Sequence, residues 1–339
     1  MNRPVVWGVL GTARIGKQKV IPAMLRSPLV QVRGIASRTL AVAEAAAQEM
    51  DIPRPYGDYA ALLADPDIEA IYNPLPNHLH VPLTLAAARA GKHVLCEKPI
   101  ALHAGEARQL QSVAHQVHIA EAFMVRHHPQ WDRIGALLRE GRIGTLRAVQ
   151  CVFSFFTDDP ADIRNQPDIG GGALYDIGCY AVVTARLVFG TEPLRALALM
   201  DRDPRLGVDR TTSGLLDFGA GRQLSFTVST QGSPHQHLTI LGTRGRIEVE
   251  IPFNAPHHLP RRIHIDDGAP GGSGSTVETL PEADQYQLMV ENFSRTIRGE
   301  AAPFWGLDDA IAQMEVIDAL FRSERSGAWE VVKKPGHGR

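Results

Sequence analysis

The feature that most constrains the fold is a glycine-rich turn that joins an apolar run to a helix-patterned segment. The run Val5–Leu10 is predicted to form a buried strand, and residues 15 to about 27 are predicted to form a helix. Between them lies Gly11-Thr12-Ala13-Arg14-Ile15-Gly16, which fits the fingerprint G-x-G-x-x-G with Ala13 at the second glycine position. Glycines after a strand also form ordinary tight turns, but the order strand, turn, helix favours a dinucleotide site. All six residues are then predicted to lie against a pyrophosphate at the helix N-terminus.

Short apolar runs alternate with helix-patterned segments over about the first third of the chain. Further strands are predicted at Val30–Ala36, Ala70–Tyr72 and His93–Cys96. Helices are predicted at Leu40–Met50, Tyr59–Leu63 and His80–Ala90, the last of them closed by Gly91. Strands that alternate with helices of this length are typical of an α/β fold with a doubly wound parallel sheet. We therefore predict a Rossmann domain over residues 1–122.

The second part of the chain has a different pattern, in which strands follow one another without intervening helices. These strands are predicted at Thr145–Thr157, Asp209–Phe218, Arg222–Gln231 and His237–Glu250. Helices are predicted near Gly172–Phe189, Asp284–Ile297 and Leu307–Arg322, and Asp267–Thr276 is predicted to be an exposed Gly/Ser-rich loop. The pattern predicts an α+β domain with a large, mostly antiparallel open sheet over residues 123–339.

Composition excludes several classes of protein. Lys and Arg number 35 against 37 Asp and Glu, so the net charge of −2 offers no electrostatic footprint for nucleic acid or an anionic membrane. No uncharged apolar run reaches the ~18 residues that a bilayer span needs. Cys96, Cys151 and Cys179 are too scattered for a disulfide framework or a zinc site, which favours the reducing cytoplasm. Close histidine pairs such as His127/His128 lack a third ligand at a recognisable spacing, so no metal is expected.

The choice between NAD and NADP depends on the end of the second strand. An acidic residue there would bind the ribose 2′-OH of NAD. This chain has Ser37 and Arg38 instead, a hydroxyl and a guanidinium that suit a 2′-phosphate. Arg38 also fits a plain solvated arginine at a strand end. Given the fingerprint upstream, the sequence predicts NADP rather than NAD.

Two further polar segments follow predicted strands, at the edge where open α/β sheets bind their ligands. The first runs from Asn73 through Asn77 to His80, and the second is Glu97-Lys98-Pro99. A lysine beside a glutamate is compatible with a surface ion pair and equally with a group that orients a substrate hydroxyl. The residue pattern alone leaves both interpretations open.

Together these segments carry a family resemblance. The glycine-rich opening, Glu97-Lys98-Pro99 and Gly170-Gly-Gly-Ala-Leu-Tyr-Asp176-Ile-Gly-Cys-Tyr180 resemble the Gfo/Idh/MocA oxidoreductases, in the same order and over nearly the whole chain. The resemblance implies a Rossmann domain, a C-terminal domain built on a large open sheet, and a pyridine nucleotide between them. It also implies a cis peptide bond between Lys98 and Pro99, and a homodimer or homotetramer joined through the open sheets.

The family pattern assigns roles to particular residues. Asp176 and Tyr180 stand at i and i+4, on one face of a helix. Tyrosine at position 180, where many members carry histidine, is similar to the branch of glucose–fructose oxidoreductase, trans-dihydrodiol dehydrogenase and NADP-dependent D-xylose dehydrogenase; a half-buried core tyrosine is the alternative. The resemblance implies a catalytic set of Lys98, Tyr180 and Asp176, and a substrate-binding set of these three with Arg126. It adds Leu75, Asn77, His80, Glu97, Lys98 and Arg164 to the cofactor-binding residues.

These assignments predict an enzyme. The expected reaction is NAD(P)-dependent hydride transfer to or from a carbon of a sugar or related polyol, with Lys98 and Tyr180 as the acid/base pair. The alternative substrate is a trans-dihydrodiol, or an anhydro-sugar or dicarbonyl that the enzyme reduces. A third possibility is a regulator that binds NADP without turnover, although such a protein would be expected to lose the lysine–tyrosine pair. The expected partner is a small molecule, not nucleic acid or a membrane.

Overall fold

A six-stranded parallel sheet forms the core of the first part of the chain in this computed structural model, which describes residues 3–269, 273–300 and 305–334. Its strands are β1 Val5–Leu10, β2 Val30–Ala36, β3 Arg54–Tyr56, β4 Ala70–Asn73, β5 His93–Cys96 and β6 Ile119–Glu121. The order β3-β2-β1-β4-β5-β6 reverses direction between β1 and β4. β1 and β4 are buried along their whole length, as expected for central strands covered on both faces.

Helices cover this sheet at positions close to those expected. The first begins as a π-helical turn, Gly16–Val20, and continues as α1. The helices are α1 Ile21–Arg26, α2 Leu40–Met50, α3 Tyr59–Leu63, α4 His80–Arg89 and α5 Ala104–Ala107. The peptide bond between Lys98 and Pro99 is cis, as the family resemblance implied. β3 and β6 were not predicted, because three-residue strands are too short to show a pattern.

A nine-stranded sheet dominates the second part. Its strands are β7 Leu146–Phe156, β8 Arg195–Arg202, β9 Asp209–Asp217, β10 Gln223–Ser229, β11 Gln231–Gly242, β12 Arg246–Val249, β13 Arg261–Asp266, β14 Thr276–Leu280 and β15 Glu330–Val331. Their order is β14-β13-β12-β11-β7-β10-β9-β8-β15. β7 and β10 are parallel, and the other neighbours are antiparallel. The predicted fold class, a parallel doubly wound sheet followed by a large, mostly antiparallel one, is confirmed.

Two sequence-based boundaries in this sheet need correction. The single strand predicted at His237–Glu250 is two strands, β11 and β12, because the chain reverses where the N–H of Gly242 donates to the carbonyl of Gly245 (2.9 Å). Thr276, predicted at the end of a loop, begins β14, and residues 270–272 of that loop lie outside the described residues. The strands β8, β13, β14 and β15 were not predicted.

Helices of the second part cover one face of its sheet. α6 Pro129–Arg139, which the sequence analysis missed, is followed by a helix that starts with the π-helical turn Leu174–Gly178 and continues as α7 Cys179–Phe189. Two further helices follow β14: α8 Gln285–Ile297, which packs on the first sheet through Phe293, and α9 Leu307–Ser326. α7 packs on β7 and β10, and Leu320 of α9 lies beside Gly214 of β9.

The chain divides into two compact units that differ from the predicted domains. One unit comprises the chain up to Met124 together with Tyr286–Ile311, and the other comprises Val125–Gln285 with the chain from Ala312 onward. The predicted division, 1–122 and 123–339, placed the 286–311 segment with the second sheet. The segment returns to the first unit, where Phe293 of α8 packs against Trp7 of β1 with ring centroids 5.7 Å apart.

The other face of the nine-stranded sheet is exposed in the described chain. Residues alternate along β7 and β10, so that Val149 and Leu224 point into the core while Gln150 and Thr227 point outward. Leu199 on this open face is 76% exposed. A shallow groove of about 690 Å³ crosses it, bordered by side chains of β7, β8, β9, β10 and β11.

One buried segment resembles a membrane span in composition. Residues Pro167–Phe189 are long and apolar enough to cross a bilayer, but 78% of the apolar window is buried inside the protein. Nine residues of α7 are buried, from Cys179 to Phe189. The apolar composition is therefore that of a helix packed on both sides within its own unit.

Candidate active site

The glycine-rich turn leads directly from β1 into the first helix. Gly11 has a φ of +82°, and its N–H donates to the carbonyl of Ala36 at the end of β2 (2.7 Å). A Cβ at Gly11 would lie 2.7 Å from Cδ2 of Leu75, and the left-handed backbone at this position favours glycine. The first N–H groups of a helix have no acceptors within it, and here the N–H of Lys17 donates to the carbonyl of Ala13 (3.0 Å). This narrow turn with free donors fits the pyrophosphate of a dinucleotide.

The end of β2 lies beside this turn. Ser37 is buried and its N–H donates to the carbonyl of Tyr56 (3.1 Å), while Arg38 is exposed. The positive charge of Arg38 acts on the half-buried phenol of Tyr59, although burial dominates and raises the pKa of Tyr59. The Tyr59 hydroxyl is also 3.9 Å from the position that a Cβ of Gly11 would occupy. Tyr59 therefore lies near Gly11 and Arg38 at this edge of the sheet, and it was not among the residues predicted for the site.

The loop after β4 is organised by Asn73. Its side-chain amide donates to the carbonyl of His80 (3.2 Å), and its Oδ1 accepts the N–H of Leu75 (3.4 Å). Leu75 is buried against the Gly11 turn, and Asn77 begins a short 3₁₀ turn, Asn77–Leu79. Both predicted cofactor residues therefore follow β4, the strand that adjoins β1.

His80 has a structural role that the sequence analysis did not foresee. Its Nδ1 is 2.6 Å from the carbonyl oxygen of Pro99, and its Nε2 is 2.6 Å from that of Leu75. Burial lowers the pKa of the ring to about 4, even though both carbonyls favour protonation. Since both nitrogens contact the backbone, the ring connects the loop after β4 to the loop after β5. This bridging role was not predicted, and the expectation that His80 lines the cofactor site stays a prediction.

Glu97 and Lys98 follow β5 at the same edge. A carboxylate oxygen of Glu97 accepts the phenol of Tyr72 (2.7 Å), and the other accepts the N–H of Lys98 (3.3 Å). Burial and the Glu97 carboxylate raise the pKa of Tyr72, so its phenol stays protonated as a donor. The Glu97 carboxylate therefore holds the backbone of the half-buried Lys98. Its predicted contact with the cofactor stays a prediction, and these two hydrogen bonds fix its position just after β5.

In the second unit, Asp176 forms an ion pair that the sequence did not reveal. Nε of Arg164 donates to Oδ2 of Asp176 (2.8 Å), and the same guanidinium contacts Asp162 (3.2 Å). The Asp176 carboxylate, with Asp162 adding to it, raises the pKa of Arg164 above its usual value. Arg164 lies in the 3₁₀ turn Ile163–Asn165, and its side chain is paired with Asp176. Its predicted contact with the cofactor stays a prediction.

Tyr180 lies on α7 within a cluster of aromatic rings. Its ring centroid is 5.9 Å from that of Phe153 on β7 and 5.5 Å from that of Phe253. Phe153 and Phe253 stack on each other at 4.9 Å. Thr184, one turn later, donates to the Tyr180 carbonyl (2.8 Å). The tyrosine is 6% exposed, so the apolar neighbours limit the motion of its ring.

The structure groups the predicted residues within each unit. Those of the first unit, except the bridging His80, lie at or next to the carboxyl ends of neighbouring parallel strands, and they comprise Gly11–Gly16, Ser37, Arg38, Leu75, Asn77, Glu97 and Lys98. Those of the second unit are Arg126, buried in the turn Met124–His127, and the set Arg164, Asp176 and Tyr180. No group of three His, Cys, Asp or Glu side chains suited to a metal occurs in residues 3–269, 273–300 and 305–334.

Comparisons with known proteins match this architecture. A model of the oxidoreductase family with NAD-binding Rossmann fold matches residues 5–127, and a Gfo/Idh/MocA C-terminal domain model matches residues 131–248. An uncharacterized oxidoreductase of Rhizobium meliloti is 45% identical over 97% of this chain and 99% of its own length. The D-xylose 1-dehydrogenase (NADP(+)) 2 of Haloferax volcanii is 38% identical over 96% of this chain and 98% of its own length.

A solved structure shows the same fold along the chain. The crystal structure of a 3-ketoreductase from Actinomadura kijaniata, in complex with NADP and TDP-benzene, matches with a TM-score of 0.89 and 30% identity. The match covers 94% of this chain and 98% of that chain. With both family models and full-length relatives in agreement, the chain belongs to the Gfo/Idh/MocA family of oxidoreductases.

Proposed function

We propose that this protein is an NADP-dependent oxidoreductase that interconverts an alcohol carbon and a carbonyl carbon of a monosaccharide or a related polyol. The observation that carries the proposal is the presence of both residues that the family pattern implies for proton transfer, Lys98 after β5 in the first unit and Tyr180 on α7 in the second. The full-length similarity to a D-xylose 1-dehydrogenase that uses NADP supports both the cofactor and the substrate class.

The cofactor assignment rests on the residues at the edge of the first sheet. The glycine-rich turn and the helix N-terminus suit the pyrophosphate, and Ser37 and Arg38 suit the 2′-phosphate of NADP. The similar 3-ketoreductase was crystallised with NADP, which supports this choice. When bound, the nicotinamide supplies the hydride chemistry, and the protein supplies binding, orientation and proton transfer.

Tyr180 and Lys98 are proposed to move the proton of the substrate hydroxyl. In the oxidative direction, the hydroxyl O–H bond breaks and its proton passes to the phenolate oxygen of Tyr180 as the carbonyl forms. In the reductive direction, the phenol returns that proton to the developing alkoxide. A phenol with an ordinary pKa near 10 is a weak base at neutral pH, and a neighbouring ammonium favours the phenolate. We assign that electrostatic role to Lys98.

Asp176 is proposed to orient the substrate and not to act as the base. One of its carboxylate oxygens accepts Nε of Arg164, which fixes the side chain one turn before Tyr180. A carboxylate held in this way is suited to accept a hydrogen bond from a second sugar hydroxyl. Arg126, which is buried in the same unit, is proposed as a further substrate contact.

Ketone reduction is the second candidate. The structural similarity to a 3-ketoreductase, over 94% of this chain, favours it as the physiological direction for a keto-sugar or dicarbonyl. The same residues would serve, with Tyr180 as the acid. Oxidation of a trans-dihydrodiol is a further alternative within this scheme, and a regulator that binds NADP without turnover is the least favoured.

A substrate panel tests the proposal. Aldoses, trans-diols, keto-sugars and dicarbonyls are incubated with NADP⁺ or NADPH, and turnover is followed by the nicotinamide absorbance. Turnover of an aldose with NADP⁺ is the expected result. Turnover of dicarbonyls alone would favour the reductase, and cofactor binding without any turnover would contradict an enzymatic role.

Substituting alanine for Gly11 is expected to lower NADP affinity at least about tenfold. Alanine disfavours the left-handed backbone at this position and its Cβ meets the Leu75 side chain, so the turn must shift away from the position that suits a pyrophosphate. Isothermal titration with NADP measures the change. Gly91→Ala is the matched control, because Gly91 has a similar φ of +76° but open space around it. That variant should lose about 1–2 kcal/mol of stability and keep its NADP affinity. Equal affinities in the two variants would contradict the role of the turn.

We further propose that the protein forms a homodimer through the open face of its nine-stranded sheet. Exposed apolar side chains on this face, among them Val152 (39%), Leu199 (76%) and Leu215 (37%), form part of a continuous surface with the groove. Contiguous apolar surface of this kind normally marks an interface. A two-fold axis would place the same face of each copy against the other.

Leu199→Asp should weaken this dimer at least about a hundredfold, since burying an unpaired carboxylate costs several kcal/mol. Light scattering over a concentration series measures the mass of each variant. Leu25→Asp is the control, because Leu25 is also exposed (47%) but lies on α1 of the first unit. A monomeric parent protein at micromolar concentration would overturn the proposed assembly.

A further inference from the structure

Asp209 is a buried carboxylate at the start of the helix that carries Asp176 and Tyr180. It is the first residue of β9 and only 1% exposed. Its Oδ2 accepts the N–H of Leu174 (2.8 Å) and the hydroxyl of Thr212 (2.6 Å). Leu174 begins the helical segment that continues into α7. The carboxylate therefore holds the first turn of that helix, where negative charge is favourable.

The glycine triplet before the helix is shaped around this carboxylate. Gly172 has a φ of +116°, and a Cβ there would overlap Oδ1 of Asp209. Its N–H donates to the carbonyl of Arg164 (2.8 Å), and a Cβ on Gly171 would lie 2.6 Å from the same carbonyl. Within the motif Gly170-Gly-Gly, Gly172 therefore allows close contact with Asp209, and Gly171 allows close contact with the loop that contains Arg164.

Charged groups on the surrounding elements are mostly paired elsewhere. Arg202 on β8, opposite Asp209 in the sheet register, contacts Glu324, while Arg210 on β9 contacts Asp201. In the turn between β8 and β9, Asp203 accepts the N–H groups of Arg205 and Leu206 and the amide of Gln231. On the helix side, Asp176 is paired with Arg164. Asp209 therefore has hydrogen-bond donors but no ion pair of its own among these groups.

This arrangement costs stability at neutral pH. Burial raises the pKa of Asp209 to about 6, although Thr212, Leu174 and Arg202 all lower it. An acid whose folded pKa exceeds its unfolded value favours folding most when protonated. Its stabilising contribution is therefore greatest below the unfolded pKa of 3.8 and falls as the pH rises to about 6. A neutral side chain of the same size would avoid this loss, so a carboxylate at this position points to a function.

We propose that Asp209 is a positioning residue whose carboxylate fixes the start of the helix, and thereby Asp176 and Tyr180, in the geometry for proton transfer. This role rests on the proposed oxidoreductase function. It assigns a purpose to a residue on a different element, 35 positions after Leu174, whose N–H it accepts. It also predicts that the reaction depends on the charge of a group that touches no substrate.

Asp209→Asn tests the role of the charge while keeping the size of the side chain. We expect the melting temperature at pH 7 to equal or exceed that of the parent, and NADP affinity to stay within about twofold. We expect kcat to fall at least about tenfold while KM changes less, because orientation in the transition state is affected more than binding. The acidic limb of the kcat–pH profile, expected near pH 6 in the parent, should disappear.

Thr212→Val provides an independent arm that keeps the carboxylate. The hydroxyl of Thr212 lowers the pKa of Asp209. The substitution removes this donor without a large change in shape, so the pKa of Asp209 should rise. The acidic limb should therefore move upward by up to about one pH unit, the opposite of its loss in Asp209→Asn. Asp217→Asn is the matched control, because it makes the same chemical change at the far, solvent-accessible end of β9. That variant should keep the parent profile.

The outcomes separate the two proposals. If the parent turns over its substrate and Asp209→Asn has a kcat within about twofold with the acidic limb in place, the role of Asp209 is overturned. The role is also overturned if Asp209→Asn loses stability and activity together while Thr212→Val leaves the limb unmoved, which would show plain structural support. If the parent turns over nothing in the panel, the proposed function fails, and this role fails with it.

Discussion

Replacing Tyr180 with phenylalanine is expected to lower kcat at least about a hundredfold and leave NADP binding unchanged. The variant keeps the ring that packs against Phe153 and Phe253, so the aromatic cluster stays intact. It lacks only the hydroxyl that is proposed to exchange a proton with the substrate. Removing a positioned acid/base group typically costs about 10²–10⁴ in rate. Steady-state kinetics with the best substrate, together with NADP titration, measure both effects.

Lys98→Met should show a loss of similar size, because the variant lacks the ammonium that is proposed to favour the Tyr180 phenolate. The fall in kcat of the double variant should be much smaller than the product of the two single falls, since both changes disable the same proposed acid/base pair. Near-normal turnover by Tyr180→Phe would contradict the mechanism and transfer the acid/base role to Asp176. His80 is a poor substitute for that role, because both of its ring nitrogens contact backbone carbonyls.

Arg38→Ala is expected to weaken NADP binding by about tenfold to a hundredfold and to affect NAD far less. A charge-assisted hydrogen bond is worth roughly 1.5–3 kcal/mol, and only NADP carries the 2′-phosphate that Arg38 is proposed to bind. The exposed side chain beside Tyr59 can be truncated without disturbing the core. Calorimetric titration with each cofactor gives the two dissociation constants.

The control for this variant is Arg89→Ala, which removes the same charge from the last turn of α4. It should leave both affinities unchanged, apart from the small general effect of net charge. Equal weakening of NADP and NAD by Arg38→Ala would show that the guanidinium does not read the 2′-phosphate. Unchanged NADP binding would assign Arg38 to the solvated surface, the alternative that the sequence also allowed.

The parts of the fold with a strong local pattern were predictable from the sequence. β1, β2 and α2 have the residue bounds that their apolar periodicity indicated, and Gly11 lies in the turn that its motif required. The change from alternating elements to successive strands correctly separated the two sheets. Short elements such as β3 were missed, because their pairing with a neighbouring strand, and not their own residues, makes them strands.

The site was less predictable wherever it depends on contacts between distant residues. The bond from Tyr72 to Glu97 joins residues 25 positions apart, and Asp209 meets Leu174 across 35. No spacing rule points to such pairs in a single sequence. His80 shows the same limit: its position after β4 predicted a cofactor contact, but not the two backbone carbonyls that its ring nitrogens meet only in the folded chain.

The most direct test of the central claim follows the substrate hydrogen itself. The parent enzyme is incubated with NADP⁺ and an aldose that carries deuterium at C1, and the reduced cofactor is recovered for mass spectrometry. The account predicts that the recovered cofactor carries one deuterium, that Tyr180→Phe transfers it far more slowly, and that NAD⁺ is labelled poorly. Cofactor that is recovered unlabelled, or not reduced at all by any aldose that binds, would contradict an NADP-dependent sugar dehydrogenase.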